Sequence, residues 1–301
     1  MWKYYALRLA YLLLARLPMA ALYGIALVVG DGAYFLRSDA REAVCANMRQ
    51  VMGPEASERD VHRAAREVFR NATRYYADLL HIARMDVARF RRERLDLHGE
   101  EYLREAERSG RGAVIASTHF GNPEMAVQGL AAEGFLITGI TEPLEPQELS
   151  DFIDRLRTRH GHSSASADFG GLRTAIARIK SGGLVAVLFD RDVLGTGVPM
   201  PFCGAQASIP LGAVDIALRT NCDLLPAWSS RLPGRRFRVD IGPPLELVRT
   251  GDSERDLRAN GARLLALFEE RLRKDPGQWA VLERIWAKEP QQQPAASGAL
   301  Q

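Results

Sequence analysis

Cysteine is scarce in this chain, and its scarcity is the first constraint. Cys45, Cys203 and Cys222 are the only three in 301 residues, and they are scattered without the spacing of a zinc site or the density of a disulfide framework. They fit a reducing compartment. Nucleotide cradles are missing as well: there is no Walker A motif and no G-x-G-x-x-G behind an apolar run. No G-x-S-x-G turn supplies a serine nucleophile. His160 and His162 stand two apart with no H-E-x-x-H, which argues against a zinc site. Long apolar runs are lacking too: the longest charge-free stretch, Leu17 to Gly30, falls short of the ~20 residues a spanning helix needs. The net charge of +3 is far from that of a dedicated nucleic-acid binder. No protein nucleophile, metal, cofactor or nucleic-acid partner is therefore expected.

What is present is ordinary globular material, 47% hydrophobic and 26% charged, long enough for one large domain or two small ones. Arginine far outnumbers lysine, which suits phosphate or carboxylate contacts. The most apolar segment, Trp2 to Leu36, carries Lys3, Arg8 and Arg16 and is divided by Pro18. Its arginines interrupt the core a signal peptide would need. The expectation is a helical pair lying against a membrane surface, its basic residues at anionic headgroups, with an ordinary buried hairpin as the alternative. Ser57 to Ile82 reads as a long helix with an apolar stripe through Val61, Val68 and Leu79, capped by Ser57. Five arginines between Arg84 and Arg94 suit a solvated face as well as a phosphate-facing patch.

From Leu95 onward short apolar runs alternate with helical patterns. Strands are expected at Leu95–His98, Ala113–Ala116, Phe135–Ile140, Leu184–Phe189, Leu224–Trp228 and Phe237–Ile241, with a short strand or loop near Ser163. Helices are expected between them, then a long one over Ser253–Arg273 and a shorter one over Pro276–Ala287. This is the order of an α/β protein with a mostly parallel central sheet flanked by helices. The expected division is an apolar membrane-associating region over 1–36, a main domain over 37–289 and a disordered tail over 290–301.

The chemistry centres on AVIASTHFGNPE, Ala113 to Glu124. A buried strand delivers Ser117, Thr118 and His119 to a turn at Gly121-Asn122-Pro123, and Pro123 opens a helix carrying Glu124 in its first turn. An imidazole and a carboxylate can thus face one space. Without a protein nucleophile, the nucleophile is expected to be the substrate: neutral His119 takes the proton of an acceptor hydroxyl as it attacks an activated acyl group, and Glu124 orients the ring. Three further clusters lie near strand or helix ends. They are Asp190-Arg191-Asp192, the Arg155 to Gly161 run, and Pro201 to Gly204 followed by the helix start at Pro210.

These residues resemble a known family. His119 to Glu124 is similar to the H-x4-D/E motif of the lysophospholipid acyltransferase superfamily, in the branch of the lipid A biosynthesis and phosphatidylinositol mannoside acyltransferases. Ala46-Asn47-Met48-Arg49 resembles that branch's "NLR" segment and Arg157 to Gly161 its R-x-x-x-G. Asp190 through Gly204 resembles its D-x-D…FFG, and Asp275 to Trp279 with Trp286 its "PEQW…W". Cys203 and Gly277 depart from those patterns. The resemblance implies His119 as general base with Glu124 as partner, and Arg157, Arg191, Asp192, Asn122 and Gly204 on the substrate side. It implies an acyl-CoA or acyl-carrier-protein donor, a glycolipid acceptor, and work as a peripheral or monotopic protein at the cytoplasmic face of the inner membrane. A lysophospholipid or glycerolipid acyltransferase, an acyl-CoA hydrolase and a non-catalytic lipid-binding protein are the alternatives.

Overall fold

A computed structural model of the chain describes residues 1–286. Two apolar helices open it, α1 (Trp2–Leu14) and α2 (Met19–Leu36), with Pro18 at the N-cap of the second. Then come α3 (Ser38–Met52) and the long α4 (Glu58–Ile82). The Ser57 hydroxyl accepts from the Asp60 N–H at the start of α4, as its cap position predicts. The second helix lays Leu22, Ala26, Gly30 and Tyr34 inward, and its Asp31 accepts from both Arg66 and Arg70 of α4. Gly30 lets the two backbones touch, because a Cβ there would stand 2.8 Å from the Arg70 Cα.

The alternating region follows as α5 (Val87–Arg94), β1 (Leu95–His98), α6 (Glu100–Arg108), β2 (Ala113–Ser117), α7 (Pro123–Ala131), β3 (Ile137–Thr141), α8 (Gln147–Arg157), β4 (Ser163–Ser166), α9 (Phe169–Lys180) and β5 (Leu184–Leu188). A hairpin of β6 (Val198–Phe202) and β7 (Ala205–Ile209) interrupts it. Then come α10 (Gly212–Thr220), β8 (Asp223–Leu232), β9 (Arg236–Ile241) and α11 (Ser253–Lys274). The sheet has seven strands in the order β1-β9-β8-β2-β5-β3-β4. All neighbours are parallel except β8 and β9, which the Pro233-Gly234 turn joins antiparallel. The mostly parallel α/β sheet expected from the alternation is therefore the observed architecture.

Buried on both faces, the central strands read as unbroken apolar runs. Val114, Ala116 and Val185 point into one core with α9, α10 and α11. Ile115, Leu184 and Leu225 point into the other with α6, α7 and α8. The stretch around Phe202 is a two-stranded ribbon, which tolerates Pro199 and Pro201 because each strand has a free edge. One expectation fails: the final helix does not form beyond a single 3-10 turn at Pro276–Gln278. The chain then runs extended, and Phe120 and Trp279 make an antiparallel bridge across it. Its apolar residues Trp279, Val281 and Trp286 pack into the core from this extended run. Ala287 and the tail expected to be disordered, 290–301, lie outside the described residues.

Candidate active site

Parallel pairing sets the site. Ser117 at the end of β2 is in register with Leu188 at the end of β5. Two residues beyond each lie His119 and Asp190, so adjacent strands deliver the imidazole and the carboxylate side by side at the sheet's C-terminal edge, where open α/β sheets place ligands. His119 Nδ1 stands 2.9 Å from Asp190 Oδ1, and the His119 backbone N–H donates to Asp190 Oδ2 at 2.9 Å. Trp279 Nε1–H donates to the same Oδ2 at 2.7 Å. An ionised carboxylate only accepts, so the proton on this contact sits on Nδ1, and the neutral tautomer that fits it leaves the lone pair on Nε2. Asp190 is wholly buried. Burial works against its charge, yet the His119 ring, the indole and the backbone N–H together hold its carboxyl below the ordinary carboxylate value.

His119 and Glu124 line one cavity, but among the described residues the ring's hydrogen-bond partner is Asp190, where Glu124 was expected. Asn122 Oδ1 caps α7 by accepting from the Met125 N–H, and its Nδ2 donates to buried Asp78 at 2.7 Å. The helix so started aims Glu124 toward α4 and α8. There its carboxylate accepts from Arg157 Nε at 2.9 Å and from the Tyr75 hydroxyl at 3.2 Å, and Arg157 also donates to that hydroxyl at 3.1 Å. Burial opposes the Arg157 charge, but Tyr75 and Glu124 outweigh it and raise its pKa. Burial pushes the Tyr75 phenol up to about 12, so it stays a neutral donor.

A cavity of about 450 Å³ adjoins these groups. His119, Glu124, Arg157 and Arg191 line it together with aliphatic residues of the sheet and of α7, among them Ile115, Ala186, Ile137 and Leu130. On the β3 wall Gly139 presents no side chain, and a Cβ there would meet nothing nearer than 4.0 Å. The space is a mostly apolar pocket with a few convergent polar groups, the usual form of a small-molecule or lipid site.

The remaining sequence candidates separate. Arg191 lines the cavity but is engaged bidentately by Glu283 at 2.6 and 2.9 Å. Asp192 does not line it. Its carboxylate closes its own loop, accepting from the Thr196 and Gly197 N–H groups and the Ser208 hydroxyl. Asn122 is fully buried beneath the turn, and Gly204 turns the β6–β7 hairpin at φ +85°. Neither is among the cavity's lining residues. Three residues at the site escaped the sequence reading in these roles. Asp190 was visible only as one acid of an Asp-Arg-Asp cluster, Tyr75 lay unmarked in α4, and Trp279 stood out only as part of a terminal motif.

Residues 1–288 match the profile of the bacterial lipid A biosynthesis acyltransferase family. The chain belongs to that family. It is an acyltransferase of lipid biosynthesis. It is 28% identical over 263 residues to a phosphatidylinositol mannoside acyltransferase of Mycobacterium tuberculosis (strain CDC 1551 / Oshkosh), covering 84% of this chain and 79% of that protein. It is 27% identical over 268 residues to one of Mycolicibacterium smegmatis, covering 86% and 84%.

Proposed function

We propose that this acyltransferase moves a fatty acyl chain from a CoA or carrier-protein thioester to a hydroxyl of a glycolipid, with His119 as general base and Asp190 as the group that orients it. The observation carrying this reading is the 2.9 Å contact between His119 Nδ1 and a wholly buried carboxylate, made beside an apolar cavity that His119 also lines. Nε2 takes the proton of the acceptor hydroxyl as its oxygen attacks the thioester carbonyl. The tetrahedral intermediate expels the thiolate, which takes the proton back from the imidazolium. Asp190 stabilises that cation throughout. General-base help of this kind contributes roughly 10²–10⁴-fold.

The apolar part of the cavity suits the acyl chain. Arg157, held charged and oriented by Glu124 and Tyr75, is the cation offered to a donor or acceptor phosphate. The relatives' names point to a mannosylated phosphoinositide as one acceptor of the right class, and a lipid A precursor is another. Reaction is expected at the cytoplasmic face of the inner membrane. In support, α2 spans 18 residues, with Val28 at 73%, Phe35 at 62% and Leu36 at 86% exposure while its other side packs on α4. A helix half covered by protein and half apolar to solvent suits an interface better than a bilayer span.

The purified protein with acyl-CoA, acyl-carrier protein and candidate glycolipids in mixed micelles tests the reading. Acylated glycolipid is expected by mass, and His119→Ala should abolish it while the fold and vesicle binding persist. Undiminished turnover by His119→Ala would sink the mechanism. Acyl-CoA hydrolysis that ignores acceptor would replace the transfer reading with a thioesterase.

A further inference from the structure

We propose that Trp279 is a positioning residue for the acyl-transfer base, its indole N–H locking the Asp190 carboxylate in the orientation that presents Oδ1 to His119. The inference rests on the acyl-transfer reading above. Asp190 divides its oxygens between two tasks. Among the described residues Oδ1 takes only the His119 ring, while Oδ2 takes the His119 backbone N–H at 2.9 Å and the Trp279 indole at 2.7 Å. Without the indole, both remaining donors to the carboxylate belong to His119 itself, the ring on Oδ1 and the backbone N–H on Oδ2, so among the described residues nothing outside His119 would fix it. The indole fixes its plane.

The strap that carries Trp279 is bound to the same backbone that carries His119. Gly121 N–H donates to the Gln278 carbonyl at 2.9 Å, and Ala280 N–H donates to the His119 carbonyl at 2.9 Å. Indole and imidazole are therefore set in one register, and movement of the strap would move both partners of Asp190. Trp279 is wholly buried, with its ring edge-on to Phe202, Phe268 and Trp286 at centroid distances of 6.0–6.1 Å. Filling that cluster asks only for an aromatic ring. The polar edge of the indole is a donor with no other use, and it is spent on the carboxylate.

Trp286 supplies an internal comparison. It sits in the same cluster, stacked on Phe202 at 5.1 Å, but its Nε1–H donates to the Phe202 carbonyl at 3.0 Å, away from Asp190. Trp279→Phe and Trp286→Phe each remove one indole N–H and part of one ring, yet only the first touches the base. Losing a donor to a carboxylate leaves more charge on it, which favours the imidazolium. Other charges around this site are Glu124 and Arg157 from α7 and α8, and Arg191 with Glu283 and Glu142. All are left in place by either change.

The test is steady-state acyl transfer by the purified full chain in mixed micelles. Trp279→Phe should lower kcat about tenfold with KM within about twofold, the scale of one hydrogen bond to a charged group, and shift the acid limb of the kcat/KM profile to higher pH. Trp286→Phe should leave kcat and that limb in place. Equal effects of the two variants, or wild-type kcat and an unmoved limb in Trp279→Phe, overturn the proposal. Should Trp279→Phe fail to fold, the wild-type protein labelled with 15N-indole tryptophan decides. One indole proton should be strongly deshielded and should move on Asp190→Asn, and no response by any indole resonance overturns the assignment. If wild-type protein transfers no acyl group, the proposed function fails, while the resonance still reports the Trp279–Asp190 bond.

Discussion

Replacing Asp190 by Asn is the sharpest perturbation of this site, because it changes neither shape nor volume. Three donors converge on the carboxylate: the His119 ring, the His119 backbone N–H and the Trp279 indole. An amide offers one oxygen and one NH2 group, so every orientation sets a donor against a donor. If the oxygen stays on the backbone and indole, the NH2 faces Nδ1. The ring then moves its proton to Nε2 and loses the lone pair that must reach the substrate. If the oxygen turns to Nδ1, two buried N–H groups go unpaired, at about 1–3 kcal/mol each. The tautomer fault alone is worth about 10³–10⁴-fold in a triad of this logic. The expected result is a loss of kcat of ~10³-fold or more, KM little changed, and a lowered Tm. Glu124→Gln still accepts from Arg157 and should cost only about tenfold. Mixed-micelle turnover of both variants, with thermal melts to confirm folding, makes the comparison. A folded Asp190→Asn enzyme within tenfold of wild type, or a larger loss in Glu124→Gln, would refute Asp190 as the orienting group.

Three further outcomes follow from the same geometry. Gly121 sits at φ +64°, and a Cβ there would stand 2.1 Å from the Ser229 carbonyl oxygen, so Gly121→Ala should displace the His119 turn and lower both Tm and turnover, by at least ~2 kcal/mol in stability. Burial pushes the His162 imidazole down to about 4, below its ordinary value of about 6.5. The unfolded chain therefore binds the extra proton first, and stability should fall as pH drops from about 6.5 toward 4, by roughly 3 kcal/mol across that window. His162→Asn, which keeps an acceptor for the Ile137 N–H, should flatten the slope in denaturant titrations at several pH values. Glutamates at Val28 and Val29, both exposed on α2, should release the protein from anionic vesicles in flotation assays without changing its Tm, and unchanged flotation would count against the surface-anchor reading.

Local patterns carried much of the fold into the sequence. The Ser57 cap, the Pro18 break, the Pro123 helix start and the apolar strands β2 and β5 all appear where propensity and periodicity put them. The errors come from pairing over long range. Nothing in the run Leu184–Asp190 says that it lies beside Ala113–His119, and only that adjacency, in the register Ser117↔Leu188, makes Asp190 the neighbour of the ring. Spacing along the chain favoured Glu124 because it was close in sequence. The helix start then turned that side chain toward Arg157 instead. Similarly, Pro276 looked like a helix opener, and the short turn it starts is cut off because the following residues find partners in the His119 loop.

Segments far apart in the chain are tied together through the C-terminal strap. Asn47, in Ala46-Asn47-Met48-Arg49, donates to the Glu283 carbonyl at 2.7 Å and accepts from the Ile285 N–H at 3.1 Å. Asn71 of α4 donates to the Gly277 carbonyl at 2.8 Å. Arg191 grips Glu283, Trp279 reaches Asp190, and Gln278 exchanges hydrogen bonds with the Arg231 backbone. Arg231 in turn meets wholly buried Asp78 at 2.6 Å, where Tyr23 of α2 and Asn122 of the His119 turn also converge. Removing residues 1–36 would strip the Tyr23 hydroxyl from buried Asp78, a hydrogen bond to a charge worth about 1.5–3 kcal/mol, and Asp31 from Arg66 and Arg70, as well as any lipid contact. Loss of activity in that truncation would report the collapse of a shared scaffold, so membrane dependence has to be read from substitutions on the exposed face of α2.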